Sequence, residues 1–172
     1  MRESAELTAL AERLSARAEP LLRRQAEPPA LKARLTADGG LCPAHGVPLE
    51  FDPWRPQAHR CSTCGRDYAG ARHDAAWARW QHLWLAERAA ELGALAAVAG
   101  REDAASAASG LLARYAERYE RYPNRDNVLG PSRLFFSTYL ESIWLTNYLG
   151  AAWMLREAGA LEPGVEEGVS AV

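Results

Sequence analysis

The sequence predicts a mainly α-helical protein whose antiparallel helices are interrupted by one short irregular segment. Apolar residues recur at three- and four-residue steps over most of the 172 residues, which is the periodicity of helices buried along one face. Glycine and proline are instead frequent within residues 37–70, where they oppose a long helix. A hydrophobic content of 48% with 24% charged residues is ordinary for a globular domain with a real core. We therefore divide the chain into N-terminal helices (1–36), the irregular segment (37–70) and a second helical segment (71–172), all within one domain.

The N-terminal segment predicts two helices of unequal length. Residues 4–24 have an amphipathic pattern that is interrupted or ended near Pro20, because proline lacks the N–H of a helical hydrogen bond. A proline pair at 28–29 makes a second break, and a short helix is expected from about residue 30 to residue 36. The apolar face of the first helix is formed by Leu7, Leu10, Leu14, Ala18 and Leu21.

Two close pairs of metal-ligand residues stand in the irregular segment. Cys42 and His45 are separated by two residues, as are Cys61 and Cys64, and fifteen residues lie between the pairs. Thiolate and imidazole donors in two such pairs are typical of a tetrahedral zinc ion. A glycine follows each pair, at the point where the chain must turn sharply. The sequence therefore predicts a zinc knuckle whose ligands are Cys42, His45, Cys61 and Cys64.

The fourth ligand and the role of the metal leave alternatives. His59 lies two residues before Cys61 and could replace His45, although its chelate with Cys61 would be cramped. Three unrelated thiols beside an exposed histidine are the other interpretation, which the spacing disfavours. Four protein ligands leave no open position for an activated water, so we expect structural rather than catalytic zinc. Three cysteines cannot all pair in disulfides, which favours a reducing compartment.

Residues 74–99 predict a helix with three tryptophans on one face. We expect Asp74 to be its N-cap and Gly100 to end it. The aromatic face packs on neighbouring elements or offers one ring to stack on a sugar, and the spacing alone does not separate these functions. His73 and His82 flank this face and are expected to be polar surface or capping groups. The three residues are Trp77, Trp80 and Trp84.

A polar loop is the best candidate binding site. The preceding helix is expected over residues 102–122 and to end at Pro123. The loop, residues 124–133, holds two arginines, two asparagines and a Gly-Pro turn. Arginine offers a planar fork to a carboxylate or sulfate, and asparagine both donates to and accepts from sugar hydroxyls. The alternative, that the loop only caps two helices through its Asn and Asp side chains, remains open.

Residues 134–155 predict a buried helix, because apolar residues occupy nearly every side of it. Glu141 and Asn147 interrupt the apolar run, and no positively charged loop flanks it, so a membrane span is not expected. Glu141 is expected to pair with an arginine such as Arg133, because an isolated buried carboxylate would be neutralised.

Charge excludes some classes of partner. The formal net charge is -2, and Lys32 is the only lysine in the sequence, so neither nucleic acid nor a membrane surface is an expected partner. Residues 1–10 contain no uninterrupted apolar stretch of the secretory type. We therefore expect a cytoplasmic protein.

Three stretches of this sequence together resemble a known family. They are residues 42–65 with both ligand pairs, residues 76–88 with Ala-Trp-Ala-Arg-Trp and Trp-Leu-Ala-Glu-Arg, and residues 122–144 beginning Tyr-Pro-Asn-Arg-Asp-Asn-Val-Leu-Gly-Pro-Ser-Arg. They look like the N-terminal region of bacterial heparinase II/III-like proteins, which are relatives of alginate lyases, and the resemblance covers most of the chain. It implies the start of an (α/α) toroid in a polysaccharide lyase that cleaves uronic-acid-containing glycans by β-elimination.

The resemblance implies one wall of a sugar groove and no catalysis by this chain alone. β-Elimination needs a group that neutralises the uronate carboxylate, a base and an acid. The family takes these from later segments, which nothing here matches, so we expect a fragment that ends near the start of a further helix within 162–172. Its partners would be an acidic polysaccharide and the remainder of the lyase chain. The residues implied in substrate binding are Arg125, Asn127, Arg133, Tyr139 and Trp144.

A different interpretation takes the chain as a complete, small protein-interaction module. In that case the zinc knuckle stabilises the fold, and the face of Trp77, Trp80 and Trp84 contacts the partner.

Overall fold

Helices dominate the computed structural model, which describes residues 2–36 and 38–172, without the side chains of residues 2–4. The prediction of a mainly α fold is confirmed by five helices and one two-stranded sheet in this part of the chain. The toroidal arrangement stays a prediction. The elements are α1 (Arg2–Arg23), β1 (His59–Arg60), β2 (Asp67–Tyr68), α2 (Ala71–Ala99), α3 (Glu102–Tyr119), α4 (Thr138–Glu157) and α5 (Pro163–Ser170).

Two units divide the chain, and each combines segments that are distant in sequence. Unit 1 consists of the chain up to Pro28 with Trp84–Glu120 and Ile143–Val172. Unit 2 consists of Pro29–Leu83 and Arg121–Ser142. Helices α2 and α4 each contribute residues to both units. No helix in the described residues is both long and apolar enough to cross a membrane.

The core of unit 1 is built around an aromatic cluster. Trp144 is fully buried and stacks on Tyr148 with 4.7 Å between ring centroids, while Tyr115 meets the Trp144 ring edge-on at 5.1 Å. The Tyr148 hydroxyl donates to the Leu112 carbonyl oxygen over 3.0 Å, and burial raises the pKa of Tyr148. These offset and edge-on contacts add to the stabilisation that burial alone gives.

Small residues let the helices of unit 1 approach closely. A Cβ atom on Gly93 would lie 3.0 Å from the Ala151 carbonyl oxygen, so α2 and α4 are in contact at this glycine. A Cβ atom on Gly168 would lie 3.0 Å from the Ala116 Cβ atom, which places α5 directly on α3. A larger side chain at either position would therefore push two helices apart.

Pro20 does not end the first helix. It lies inside α1, which continues to Arg23, and the Arg24 N–H still donates to the Pro20 carbonyl oxygen over 3.1 Å. Because Pro20 lies in the last turn, the chain loses one helical hydrogen bond there and keeps the helix.

The short helix expected near residues 30–36 is absent, so this prediction was wrong. Residues 30–36 are irregular, and the Ala33 N–H donates to the Leu134 carbonyl oxygen over 2.9 Å. The His82 ring also holds it, because Nε2 of His82 lies 3.1 Å from the Leu31 carbonyl oxygen. Bonds to distant residues thus replace the local bonds of a helix.

Helices α2, α3 and α4 begin or end at residues other than those expected. Helix α2 begins at Ala71, so Asp74 lies in its first turn instead of capping it. Helix α3 ends at Tyr119, before Pro123. Helix α4 begins at Thr138 rather than at residue 134, because the preceding residues pair with the loop. The pairing bonds are Val128 N–H to Phe136 O over 2.7 Å and Thr138 N–H to Leu129 O over 2.8 Å.

Candidate metal centre

Two equivalent turns present the four metal-ligand residues. In the first turn the Cys42 N–H donates to the Val47 carbonyl oxygen over 2.8 Å. In the second turn the Cys61 N–H donates to the Arg66 carbonyl oxygen over 2.9 Å. Each turn thus repeats the same step, in which a cysteine N–H reaches the carbonyl five residues later. The two halves of the sequence motif therefore fold into matching knuckles.

A glycine closes each turn in a conformation that other residues rarely adopt. Gly46 has φ of 64° and Gly65 has φ of 69°, both in the left-handed region. The N–H of Gly46 donates to Cys42 O, and that of Gly65 donates to Cys61 O, each over 2.8 Å. The glycines predicted to turn the chain after each ligand pair are thus required by the backbone.

Strand pairing joins the two knuckles. An isolated antiparallel bridge between Leu41 and Pro48 flanks the first knuckle, and the β1–β2 ladder flanks the second. The Glu50 N–H donates to the Arg60 carbonyl oxygen over 2.8 Å and links the two pairs. The segment is therefore a small ribbon in which each ligand pair occupies the end of a hairpin.

The four ligand side chains converge on one point. The Sγ atoms of Cys42, Cys61 and Cys64 and a ring nitrogen of His45 all lie within 4.8 Å of one another. Cys42 Sγ is 3.4 Å from His45 Nδ1 and 4.0 Å from Cys64 Sγ. Cys42 and Cys61 are buried, whereas His45 is exposed, so one side of the cluster faces solvent. The cluster can hold a metal ion, with one donor atom from each residue.

His59, the alternative ligand, is engaged elsewhere. Its Nε2 atom lies 2.8 Å from Asp74 Oδ1, and its side chain is buried against the first turn of α2. The metal cluster in the described residues contains His45 instead. Asp74, expected to be a helix cap, thus orients this buried histidine.

Tyr68 adds a hydroxyl group to the metal cluster that the sequence did not reveal. Its oxygen lies 3.3 Å from Cys42 Sγ and 3.7 Å from Cys64 Sγ, so it spans the two knuckles. The single O–H of Tyr68 can be directed at either thiolate, where it stabilises the charge and fixes the orientation of the sulfur. The only sequence signal was an aromatic residue four positions after Cys64, which is too common to assign a role.

Two of the three thiols of the metal cluster, those of Cys42 and Cys64, are biased toward the thiolate form, whereas the pKa of Cys61 is raised. Burial raises the pKa of Cys42, but hydrogen bonds from Tyr68 and His45 outweigh it and lower this pKa to about 6. The pKa of Cys64 is also lowered, first by a hydrogen bond from the Arg66 N–H. The pKa of Tyr68 is raised by its bonds to Cys42 and Cys64, which keeps the hydroxyl protonated as a donor. Thiolates are the form that binds metal.

The predicted binding loop is folded around Lys32, the second residue whose role the sequence did not reveal. The ammonium of this buried lysine lies 2.6–2.9 Å from four oxygen atoms, which share its three N–H donors. Burial lowers the pKa of Lys32. All four acceptors lie in the loop and its flanks, so the loop conformation depends on one distant cation. The acceptors are the carbonyl oxygens of Pro123, Arg125 and Ser132 and Oδ1 of Asn127.

The polar residues predicted in the loop differ in their availability. Asn127 accepts from Lys32 and donates to Asn124 Oδ1 over 2.8 Å, so its amide is used inside the loop. The side chain of Arg125 is exposed, although its carbonyl oxygen faces Lys32. Nη1 of Arg133 donates to the Tyr122 carbonyl oxygen over 3.1 Å. Arg125 is therefore the loop arginine most accessible to a ligand.

Glu141 is bound by hydrogen bonds from Ser132 and Arg133 at the end of the loop. Its carboxylate accepts from the Arg133 backbone N–H over 2.7 Å and from the Ser132 hydroxyl. The side chain is 7% exposed, so these donors compensate a buried charge. The nearby ammonium of Lys32 adds a favourable charge interaction.

The two aromatic residues predicted in the sugar groove are in opposite environments. Tyr139 is 69% exposed and belongs to unit 2. Trp144 is fully buried in the core of unit 1. The structure therefore brings Arg125, Asn127, Arg133 and Tyr139 into one unit, and it gives Trp144 a packing role.

The tryptophan face of α2 is mostly covered. Trp77 is buried and donates its indole N–H to the Asp52 carbonyl oxygen over 2.8 Å, whereas Trp80 is 49% exposed with the Arg79 guanidinium 4.6 Å from its ring centre. His73 and His82 are both buried, so the expectation of surface positions for them was wrong. The burial of these histidines could not be predicted from the sequence, because the acceptor for each ring comes from a segment distant in the chain.

Comparison with known proteins adds no relative, because no family model, no curated protein and no solved structure matches this chain. The resemblance to heparinase II/III-like proteins therefore stays a prediction. The function has to be argued from the geometry of the metal cluster and of the loop.

Proposed function

We propose that Cys42, His45, Cys61 and Cys64 bind one structural Zn²⁺ ion. Zinc bonds of about 2.3 Å to sulfur and about 2.0 Å to nitrogen give tetrahedron edges of roughly 3.8 Å between two sulfurs and roughly 3.5 Å between sulfur and nitrogen. The observed 4.0 Å from Cys42 Sγ to Cys64 Sγ and 3.4 Å from Cys42 Sγ to His45 Nδ1 are close to these edges. This agreement, within matching knuckles, is the observation that carries the proposal.

A structural role fits this site better than a catalytic one. The protein supplies four ligands, which leaves no position for a water to be activated. The ribbon that carries them has only two-residue strands, so it has little other regular structure to hold it. In such a segment the free energy of metal binding becomes free energy of folding. Because thiolate ligands must stay reduced, we place the protein in the cytoplasm.

Metal analysis of the purified chain tests this proposal. We expect about one zinc per chain, and Co²⁺ substitution should give the intense visible absorption of a tetrahedral thiolate site. A chain that folds fully with no bound metal, or one whose Co²⁺ form is octahedral, would contradict the proposal.

A second candidate function, binding of an acidic glycan by the loop, rests on the resemblance to polysaccharide lyases. The exposed side chains of Arg125 and Tyr139, both in unit 2, are the observation that favours it. A guanidinium can pair with a uronate carboxylate, and an exposed aromatic ring can stack on a sugar. In this proposal the chain contributes a binding wall within a lyase, and the acid and base of β-elimination come from elsewhere.

Binding to alginate and heparin oligosaccharides, followed by calorimetry, tests the second candidate. Arg125→Gln should weaken binding about tenfold, because one charge-assisted contact is lost. Arg66→Gln is the matched control, since Arg66 is also exposed in unit 2 but lies on the ribbon. Equal losses in both variants would mean nonspecific charge attraction, and no binding by the unmodified chain would reject the glycan proposal.

A further inference from the structure

A cavity in unit 1 combines apolar walls with charged groups. It lies among α1, α2 and α3 and has a volume of about 250 Å³. Leucines from all three helices form the apolar part, and Asp103 and Arg114 of α3 bring charge to its lining. Clefts that combine apolar residues with a few convergent polar groups are typical of small-molecule sites. The leucines are Leu21, Leu22, Leu92 and Leu111.

Ion pairs surround the charged residues of this cavity. Asp103 is matched by Arg101, whose Nε donates to Asp103 Oδ1 over 2.7 Å. Glu27, in contrast, is shared by two arginines, with Arg118 Nη2 at 2.7 Å and Arg114 Nε at 3.5 Å. One carboxylate beside the cavity is therefore shared between two guanidinium groups. Among the described residues, the Arg114 Nε is also a buried donor without a hydrogen-bond acceptor.

Gly110 gives the Arg114 guanidinium its position. A Cβ atom on Gly110 would lie 3.3 Å from Arg114 Nη1, so the guanidinium extends back over this glycine. Gly110 itself lines the cavity, in the interior of α3. Glycine is unfavourable at such a position compared with alanine, and here its missing side chain leaves room for the charged group.

We propose that this cavity binds a small monocarboxylate with an alkyl or aromatic body, and that Arg114 binds the carboxylate. The leucine walls take the apolar body, and the guanidinium offers two parallel N–H donors to the two carboxylate oxygens. The Arg114 guanidinium selects an anion, and the volume of about 250 Å³ selects a small one. The residues of this cavity belong to unit 1, whereas the metal cluster belongs to unit 2.

The test compares hexanoate with hexanamide on the metal-loaded full chain, by titration with NMR detection of ¹³C-labelled leucine methyl groups. The two probes have nearly the same shape and differ in charge. We expect shifts at the cavity leucines and at least about tenfold tighter binding of hexanoate. Benzoate and benzamide should show the same preference.

Three variants separate binding from folding. Arg114→Gln should remove the preference for hexanoate over hexanamide. Gly110→Ala should weaken hexanoate binding several-fold by displacing the guanidinium, while thermal stability stays the same or rises because alanine favours the helix. Arg13→Gln is the control, since Arg13 is an exposed arginine of α1 that does not line the cavity.

The proposal is overturned by any of three results. These are no binding of either acid at millimolar concentration, equal binding of acid and amide, or an unchanged preference in Arg114→Gln. If Arg114→Gln fails to fold, the acid-to-amide ratio of the unmodified chain and the Gly110→Ala variant decide the question. Zinc content should stay the same in every variant, so failure of this proposal is distinguishable from failure of the metal proposal.

Discussion

Unit 2 contains two irregular segments in which four electron-rich atoms surround one point. In the ribbon the four atoms are three sulfurs and a nitrogen, which could hold a metal ion. In the loop they are four oxygens, and they surround the ammonium of Lys32. If the proposed zinc site is right, the ribbon takes its cation from solution, whereas the cation of the loop is part of the sequence.

This difference has a thermodynamic consequence. With the proposed zinc site, we expect the stability of the ribbon to depend on free metal concentration and on the redox state of the thiols, because binding is linked to folding. The stability of the loop does not, because Lys32 is covalently part of the chain. We therefore expect metal removal to disturb the ribbon and changes at Lys32 to disturb the loop.

The largest expected effect comes from Cys61→Ser, which removes a buried metal ligand. Structural zinc contributes on the order of 10 kcal/mol in small zinc folds, so we expect zinc content to fall far below one per chain and the ribbon to unfold. Elemental analysis and hydrogen exchange over residues 38–70 measure both effects. Ser62→Ala, an exposed change in the same knuckle, is the control. Unchanged metal content and melting temperature in Cys61→Ser would sink the structural-zinc interpretation.

The second effect is expected from Lys32→Met, which keeps the apolar stem and removes the ammonium. It leaves four acceptors unmatched and takes a cation away from the buried Glu141, so we expect a loss of about 3 to 5 kcal/mol in free energy of unfolding. Urea denaturation measures this loss, and zinc content should stay at one per chain.

Arg34→Met is the matched control for Lys32→Met. Arg34 is an exposed cation two residues away, 3.6 Å from Asp126, and its loss should cost less than about 1 kcal/mol. Equal effects of the two changes, or loss of zinc in Lys32→Met, would contradict the separation between ribbon and loop.

A third effect concerns pH and the His82 contact with the segment that carries Lys32. Burial lowers the pKa of His82 to about 4 from 6.5. Between these values the unfolded chain binds a proton that the folded chain does not, so stability falls as the pH drops from 6.5 toward 4. The complete shift in the pKa of His82 corresponds to a loss of about 3 kcal/mol in the free energy of unfolding.

Urea denaturation at pH 7 and pH 4.5 checks the His82 effect. His82→Gln keeps a donor for the Leu31 carbonyl oxygen but cannot titrate, so its stability should change less over this interval. Acid also protonates metal ligands, and the difference between the two proteins isolates His82. The same pH dependence in both would show that His82 is not responsible.

The smallest effect is expected from Tyr68→Phe, which removes only the hydroxyl that spans the two knuckles. Loss of such an outer hydrogen bond lowers metal affinity about 10- to 100-fold. Competition with a zinc chelator measures the change, and Tyr139→Phe in the loop region is the control. An unchanged zinc affinity would mean that the hydroxyl only fills space beside the sulfurs.

The metal cluster could be predicted from the sequence because its ligands are local. Each ligand pair lies within one turn, and spacing alone implies a shared ion. The Lys32 site could not be predicted in this way, because its acceptors are 91 to 100 residues distant and three of them are backbone carbonyl oxygens. Every residue has a backbone carbonyl oxygen, so the residue type does not reveal which of them accepts from Lys32.

The helices, too, could be predicted only where local sequence determines them. Their existence follows from apolar periodicity, which identified α1, α2, α3 and α4. Their ends depend on tertiary contacts, as at Thr138, where pairing with Leu129 delays the start of α4. The wrong helix near residues 30–36 has the same cause, since Ala33 bonds to Leu134 rather than along its own segment.

Lys32 is the only lysine among the 172 residues, and this gives the chain a single cutting site for a lysine-specific protease. The bond after Lys32 leads into Ala33, whose N–H is bonded to the loop, and the ammonium that the protease must recognise is buried. Proteolysis therefore requires the loop to release both groups at once. The rate at which this one bond is cut can be measured from the appearance of two fragments on a gel. This rate reports how often the loop opens, and the measurement needs no label or engineered probe.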